Sequence, residues 1–323
     1  MPEPSPTSTR RGRLLRCGAA VAVLLALAGY LAVQYVTGGT GAPRCKVVSG
    51  RDDGASYEFT PEQAANAATI SAIGTSRGMP ERAVTIALAT ALQESGLRNI
   101  DHGDRDSLGL FQQRPSQGWG TQQEILDPTY ASGVFYEHLA KVPGYSRLPL
   151  TVAAQRVQRS GYPQAYAKHE PDATLLAAAL TGRAAATLTC EGRPDATPTG
   201  GPSAVRAALV RDFGRTVLQE AGAEVGAVEE SPTPKAAPGA GDSRTVTVPV
   251  REGTTAEGTA LQRGWELAHW AVANSSALHI EQVSYAGREW SAGRSRSTWS
   301  TSAGSGAQKS AKSAAEVRIV TGQ

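Results

Sequence analysis

The chain has 323 residues, 40% of them hydrophobic and 19% charged, with 35 glycines and 19 prolines. This is enough apolar material for a substantial core, but too much glycine and proline for one continuous large fold, so one good domain with a smaller companion is expected. The net charge is only +3, and Arg10, Arg11, Arg13 and Arg16 crowd the N-terminus, so the near-neutral remainder excludes nucleic acid as the expected partner.

Residues 1–16 read as a basic cytoplasmic tail. From Cys17 to Val36 there is no charged side chain, and the stretch matches the roughly 20 residues that a helix needs to cross a bilayer. The arginines before it place the N-terminus inside and the rest of the chain outside. The expectation is a transmembrane signal anchor at 17–36, which makes the membrane a partner; cleavage near Ala28, giving a secreted protein, is the alternative. Cys17 then lies at the membrane edge. Cys45 and Cys190 lie in an oxidising compartment and bracket the stretch that looks globular, which suggests a disulfide; two unpaired buried cysteines are the other reading.

Residues 37–55 form a Gly-rich tether, and 56–190 read as a mostly helical domain. Thr60-Pro61-Glu62 is an N-cap followed by proline at the first helical position, opening a helix to about Ser76. The next helix, Pro80 to about Ser95, carries Ala83, Val84, Ile86, Ala87, Leu88, Ala91 and Leu92 and is expected to be buried nearly all round, with Gly96 ending it. A polar, loop-rich stretch at 97–128 follows. Helices resume at Tyr130 to Val142, Thr151 to Arg159 and Pro171 to about Leu188. Residues 191–243 are a linker holding one helix, 203–220. The last segment, 244–323, reads as a small α+β domain: a strand at Thr245 to Val250, an amphipathic helix from about Ala256 to Leu278, a strand IEQVSYA, a Ser, Gly and Ala-rich insertion at 291–312 expected to be disordered, and a final strand EVRIV. Trp265, Trp270 and Trp290 read as core rather than ligand platform.

Glu94 stands at the end of an apolar helix and is followed at Ser107 by SLGLFQQ. A carboxyl group at the edge of a core keeps its proton towards neutral pH, which is what protonating a glycosidic oxygen demands. A solvated helix-end glutamate is the plainer alternative. Asp101, Asp104 and Asp106 are candidates for a second carboxylate, although acids in so dense a loop usually serve turns. The same spacing falls short of a calcium loop, because Gln112 stands where the bidentate glutamate belongs, and no histidine shows ligand spacing. No metal and no cofactor is expected. Trp119 suits either stacking on a sugar ring or packing. Arg114 and Arg159 suit either peptide carboxylates or solvent.

The stretch from Ala91 to Pro128 resembles the lysozyme-like superfamily, specifically the soluble lytic transglycosylase type of actinobacterial and phage proteins. Glu94 and Ser95 match its Glu-Ser pair, and Ser107, Gly109, Leu110, Phe111 and Gln112 match its Ser-x-Gly-Leu-hydrophobic-Gln turn. The later run TVAAQRVQRSGYPQAYAKHE is similar to the family's late helix and brings Tyr162 and Tyr166 near its aromatic positions. Over residues 57–180 the resemblance implies a mainly α lysozyme-like fold and a peptidoglycan lytic transglycosylase. It makes Glu94 the single acid and then base, Ser95, Ser107, Gln112, Tyr162 and Tyr166 substrate-side residues together with Trp119, and glycan strands of the wall the partner. A non-catalytic wall-binding scaffold and a lysozyme-type hydrolase are the alternatives. The segment RGWELAHWAVANSSALHIEQVSYAGREW is similar to a small terminal domain of some secreted actinobacterial and fungal proteins. That domain's last strand carries His-Val-His, and here Glu316 and Arg318 stand at the matching positions, which implies at most a binding role.

Overall fold

The computed structural model describes residues 44–51, 53–191, 201–219, 244–250, 259–293, 297–301 and 314–322. The expected signal anchor at 17–36 and its cleavage point near Ala28 lie outside these residues. Among the described residues no helix is long and apolar enough to cross a membrane. About half of the structure is helical, with a small antiparallel sheet near the C-terminus.

Strands β1 (Cys45–Val48) and β2 (Ser56–Phe59) pair antiparallel, and β3 (Leu188–Cys190) joins the other edge of β1 to give the order β2-β1-β3. Cys45 stands opposite Cys190 in this register, and the two form a disulfide across 145 residues of chain. This small sheet was not anticipated: each strand is three or four residues long, too short for alternation to register in a sequence pattern. Helix α1 (Pro61–Ser76) opens on a capping box, in which Thr60 Oγ1 accepts from Gln63 N–H and Gln63 Oε1 accepts from Thr60 N–H. Ala64, Ala67, Ala68 and Ala72 are all buried, and these short side chains let many neighbours approach. Helix α1 accordingly touches α2 (Glu81–Ser95), α4 (Pro128–Ala140), α6 (Glu170–Leu180) and elements from the C-terminal part of the chain.

Helix α2 is buried at every position from Ala83 to Leu92, as its composition predicts, and packs on α6, α4 and α5 (Leu150–Gln158). A four-residue helix α3 (Gln122–Ile125) lies in the irregular middle. Helix α6 ends at Leu180, not near Leu188 as periodicity suggests. Gly182, at φ +75°, turns the chain out, and a side chain there would run into the Gln262 carbonyl. Leu188 is then free to start β3.

Helix α7 (Gly201–Phe213) is shorter than the expected 203–220 because Gly214, at φ +85°, interrupts it before a 3-10 turn at Arg215–Leu218. The second sheet runs β4-β8-β5-β6-β7, antiparallel throughout, from β4 (Thr245–Pro249), β5 (Ile280–Tyr285), β6 (Arg288–Ser291), β7 (Ser300–Thr301) and β8 (Glu316–Thr321). Helix α8 (Ala260–Ala273), followed by a single turn α9 (Ser275–Leu278), is buried from Gly264 to Ala273 without a break. It lies between this sheet and helices α1 and α6, so its polar residues Glu266 and His269 are buried along with its apolar ones. Trp265, Trp270 and Trp290 are core residues. Residues 297–301 fall inside the stretch expected to be disordered, yet Trp299 is buried and its indole N–H donates to Leu188 O at 2.9 Å, while Ser300 and Thr301 pair with β6.

Residues from Arg44 to Gln323 form one compact unit. Its internal seam is polar and paired. The buried Asp212 accepts from Trp270 Nε1 at 2.8 Å, from Arg211 Nε at 2.7 Å and from Thr69 Oγ1 at 3.4 Å. Glu266 accepts from Thr75 Oγ1 and from Arg263 at 2.6 Å. His269, fully buried, donates through Nδ1 to Ala179 O at 2.7 Å and accepts through Nε2 from Thr187 N–H at 3.3 Å. Buried polar groups satisfied in this way specify one docking register, which greasy contact alone does not.

Candidate functional site

Glu94 lies in the last turn of α2. The helix stops at Gly96, φ +64°, where Gly96 N–H bonds Leu92 O at 3.1 Å and Leu97 N–H bonds Ala91 O at 3.0 Å, the two bonds of a Schellman end. Two side chains of α1 reach the carbonyls this end leaves open: Gln63 Nε2 donates to Gly96 O at 2.7 Å and Asn66 Nδ2 to Leu97 O at 2.8 Å. The backbone that carries Glu94 is therefore held from a second helix.

The carboxyl group is partly buried, and burial raises its pKa above the ordinary glutamate value; hydrogen bonds from Tyr166 and Gln158 act in the opposite direction but are the smaller effects. Tyr166 Oη donates to Glu94 Oε1 at 2.6 Å. Tyr166 itself is 0% exposed, in the 3-10 segment Pro163–His169, and burial beside the carboxylate pushes its phenol far up, so it stays a donor.

The SLGLFQQ stretch forms a tight hairpin. Leu108 and Gln113 exchange two backbone hydrogen bonds, at 2.9 and 3.0 Å. Gly109 turns at φ +74° and Gln112 takes the left-handed conformation at φ +48°, unusual for a residue with a side chain. Ser95 Oγ donates to Leu110 O at 2.8 Å, Phe111 stacks on Phe135 with centroids 4.5 Å apart, and Gln113 Nε2 donates to Ala131 O at 3.1 Å. The hairpin is thereby fastened to the end of α2 and to α4.

The expected site residues differ in where the fold puts them. Tyr166 meets Glu94 directly, as a buried orienting donor and not as a wall open to a sugar. Ser95 and Ser107 are buried, and the Ser95 hydroxyl is spent on the Leu110 and Ala91 carbonyls, so Ser95 holds the hairpin in place. Gln112 directs its amide to His102 O and Gly109 O, both at 3.3 Å, and braces the 102–109 loop. Trp119 lies against His138, centroids 4.2 Å apart, and is partly buried. Tyr162 is 80% exposed, four residues before Tyr166.

Two of the three loop aspartates, Asp106 and Asp101, have side-chain partners. Asp106 accepts from Arg114 Nε at 2.7 Å and from Ser116 N–H at 2.8 Å, and these bonds hold its carboxyl well below the usual range. Asp101 contacts His102 Nδ1 at 3.0 Å, which lowers its pKa as well. Among the described residues, no group of three or more His, Cys, Asp or Glu is placed to hold a metal ion. Gln158 is a residue beside the site that motif reading overlooked: its Nε2 donates to Phe111 O at 2.7 Å and fastens the hairpin to the end of α5. It stands inside the run that carries the resemblance, QRVQRSGY, but nothing local marks it.

A family model described as VldE, C-terminal domain, matches residues 207–312. The match begins within α7 and takes in β4, α8 and β5 to β7, about a third of the chain, and the domain's name carries no clear function. No curated protein matches the chain.

Proposed function

We propose that this chain is an extracytoplasmic, membrane-anchored enzyme of lytic transglycosylase type, with a lysozyme-like helical part that cleaves the β-1,4 glycosidic bonds of peptidoglycan. The observation that carries this reading is Glu94: a partly buried carboxyl group with a raised pKa, oriented by the Tyr166 hydroxyl at 2.6 Å. Protonated Glu94 gives its proton to the leaving glycosidic oxygen as the C–O bond breaks. The resulting carboxylate then removes the proton of the substrate's own 6-hydroxyl as that oxygen bonds to the anomeric carbon. The proton returns to Glu94, and no water is consumed.

A hydrolase that retains or inverts configuration by the usual route calls for a second carboxylate. Asp106 and Asp101, engaged with Arg114 and His102, suit that part poorly, which favours the single-acid reading over the hydrolase. The Cys45–Cys190 disulfide favours an oxidising compartment, in line with export past the membrane. The test is product analysis on purified wall glycan. Wild-type protein is expected to release fragments ending in anhydro sugars, and Glu94→Gln to lose at least about a hundredfold in rate, the scale of a removed general acid. Reducing ends instead of anhydro ends would mean a hydrolase. Binding to insoluble wall without soluble products would mean a scaffold.

A further inference from the structure

From His138 to His169 the chain carries five cations, Lys141, Arg147, Arg156, Arg159 and Lys168, and no aspartate or glutamate. All five are exposed, and none forms an ion pair among the described residues. The acids that bound the stretch are engaged elsewhere: Glu137 pairs with Arg77 at 3.1 Å and Glu170 with Arg82 at 2.7 Å. Helix α5 buries Leu150, Ala153, Ala154 and Val157 and leaves Val152, Arg156 and its C-cap Arg159 exposed, at spacings of four and three residues that share one helix face. Arg147 ends the 3-10 turn Tyr145–Arg147 that leads into α5. Lys141 is the C-cap of α4, which packs on α5, and Lys168 lies in the 3-10 segment Pro163–His169, which packs on α5 as well. The cations therefore gather around one helix. That helix adjoins the candidate site: Gln158, the residue before Arg159, donates to Phe111 O of the hairpin at 2.7 Å, and Tyr166, two residues before Lys168, donates to Glu94 Oε1 at 2.6 Å.

We propose that the exposed face of α5 and its flanks, with Lys141, Arg147, Arg156, Arg159 and Lys168, is a docking surface for the carboxylates of the peptide side chains on the wall glycan, and that it holds the strand beside Glu94. The proposal rests on the reading of Glu94 as acting on that glycan. Charge complementarity identifies the occupant, because a surface of one sign with no carboxylate of its own calls for an anionic polymer. Three of the five cations are arginines, whose planar guanidinium forks match carboxylates with two parallel hydrogen bonds. Each exposed pair is weak taken singly; several along one face add up and draw the strand in before its sugars are seated. A phosphodiester polymer of the wall offers the same sign of charge, but a surface that ends at Glu94 serves the anions of the strand being cut.

The test is a binding measurement. Full-length protein in neutral detergent, carrying Glu94→Gln so that glycan stays intact, is titrated with soluble peptide-bearing strands and with the same strands after their carboxylates are converted to neutral methylamides. Native strands are expected to bind about tenfold more tightly or better at low salt, and the advantage should disappear at about 1 M salt, where charges are screened within ~3 Å. Arg147→Gln, Arg156→Gln and Lys168→Gln together should weaken binding of native strands about tenfold, a factor of two to three for each exposed pair, and leave the affinity for amidated strands as it was. The single reversal Arg156→Glu, at one exposed position, should cost several-fold by itself. Equal affinity for native and amidated strands, or native binding retained by both the triple variant and Arg156→Glu, overturns the proposal. A loss of affinity for a glycerol phosphate polymer alone, with native strands bound as before, also overturns it and assigns the surface to phosphodiesters. Because no turnover is measured, charge-dependent binding stands even where wild type releases no glycan product, the result that would sink the proposed function.

Discussion

Glu94 shows how a side chain with an ordinary identity acquires an unusual proton affinity. Burial disfavours its charge more than the Tyr166 and Gln158 donors favour it, so its folded-state pKa lies above the ordinary value. The stabilising contribution of such a group is fully present below the ordinary glutamate pKa and is lost as pH rises through the raised one. Ionised Glu94 therefore opposes folding at neutral pH, and Glu94→Gln should raise stability there by about 1 kcal/mol, as replacing a strained functional group commonly does. Urea denaturation at pH 7.5 and at pH 4 checks this: the gain should vanish at the lower pH. Tyr166→Phe acts the other way. It removes a buried donor from the carboxylate, which should push the Glu94 titration further up and cost about 1 to 2 kcal/mol at neutral pH. An activity profile whose alkaline limb does not move upward in Tyr166→Phe would show that the 2.6 Å contact has no part in setting the acid.

Between elements, the contact that decides the site is the one α1 makes with the end of α2. Gln63 performs two tasks at once, accepting from Thr60 N–H in the capping box and donating to Gly96 O across the helix pair. Removing its amide in Gln63→Ala opens both. The expected cost is about 1 to 2 kcal/mol, accompanied by faster amide exchange at Gly96 and Leu97. A thermal melt together with exchange at those two residues separates a frayed α2 end from a general loss of stability. The start of α1 was open to sequence reasoning because it is local: Thr60-Pro61-Glu62 reads as an N-cap followed by proline at the first helical position. That Gln63 also closes a helix end 33 residues away was not, since the partner is a backbone carbonyl, which has no signature in sequence. Gln158 escaped notice for the same reason, its acceptor being Phe111 O.

At the scale of the whole compact unit, two links govern stability. The Cys45–Cys190 disulfide joins β1 to β3 across 145 residues, and the double Cys45→Ser, Cys190→Ser variant should lose about 2 to 5 kcal/mol, measured as a lower denaturation midpoint. His269 ties α8 to the end of α6 and to the approach to β3 in its neutral form, and burial pulls its pKa down from 6.5 to about 4. Its contribution is complete above the ordinary histidine value and declines as pH falls from 6.5 towards 4, because the unfolded chain takes up a proton there and the folded chain does not. The slope from this one group is about 1.4 kcal/mol per pH unit. Denaturation curves between pH 7 and pH 4.5 should show His269→Gln to be less pH-dependent than wild type by roughly that amount; parallel slopes would mean that another group controls acid sensitivity.

The chain's local chemistry settled the helices at 61–76 and 81–95 and the burial of α2, because caps, periodicity and glycine stops act within a few residues, while the Cys45–Cys190 pair followed from the expected oxidising compartment. Tertiary structure alone decided what surrounds Glu94. It engaged Ser95 and Gln112 with backbone carbonyls, brought Tyr166 in from 72 residues away, set Gln158 on the Phe111 carbonyl, and engaged Asp106 with Arg114. It also placed α8 between sheet and helices, where every residue from Gly264 to Ala273 is buried. The physical reason is common to all of these: burial and hydrogen-bond direction depend on which surfaces meet, and the meeting surfaces come from distant parts of the chain.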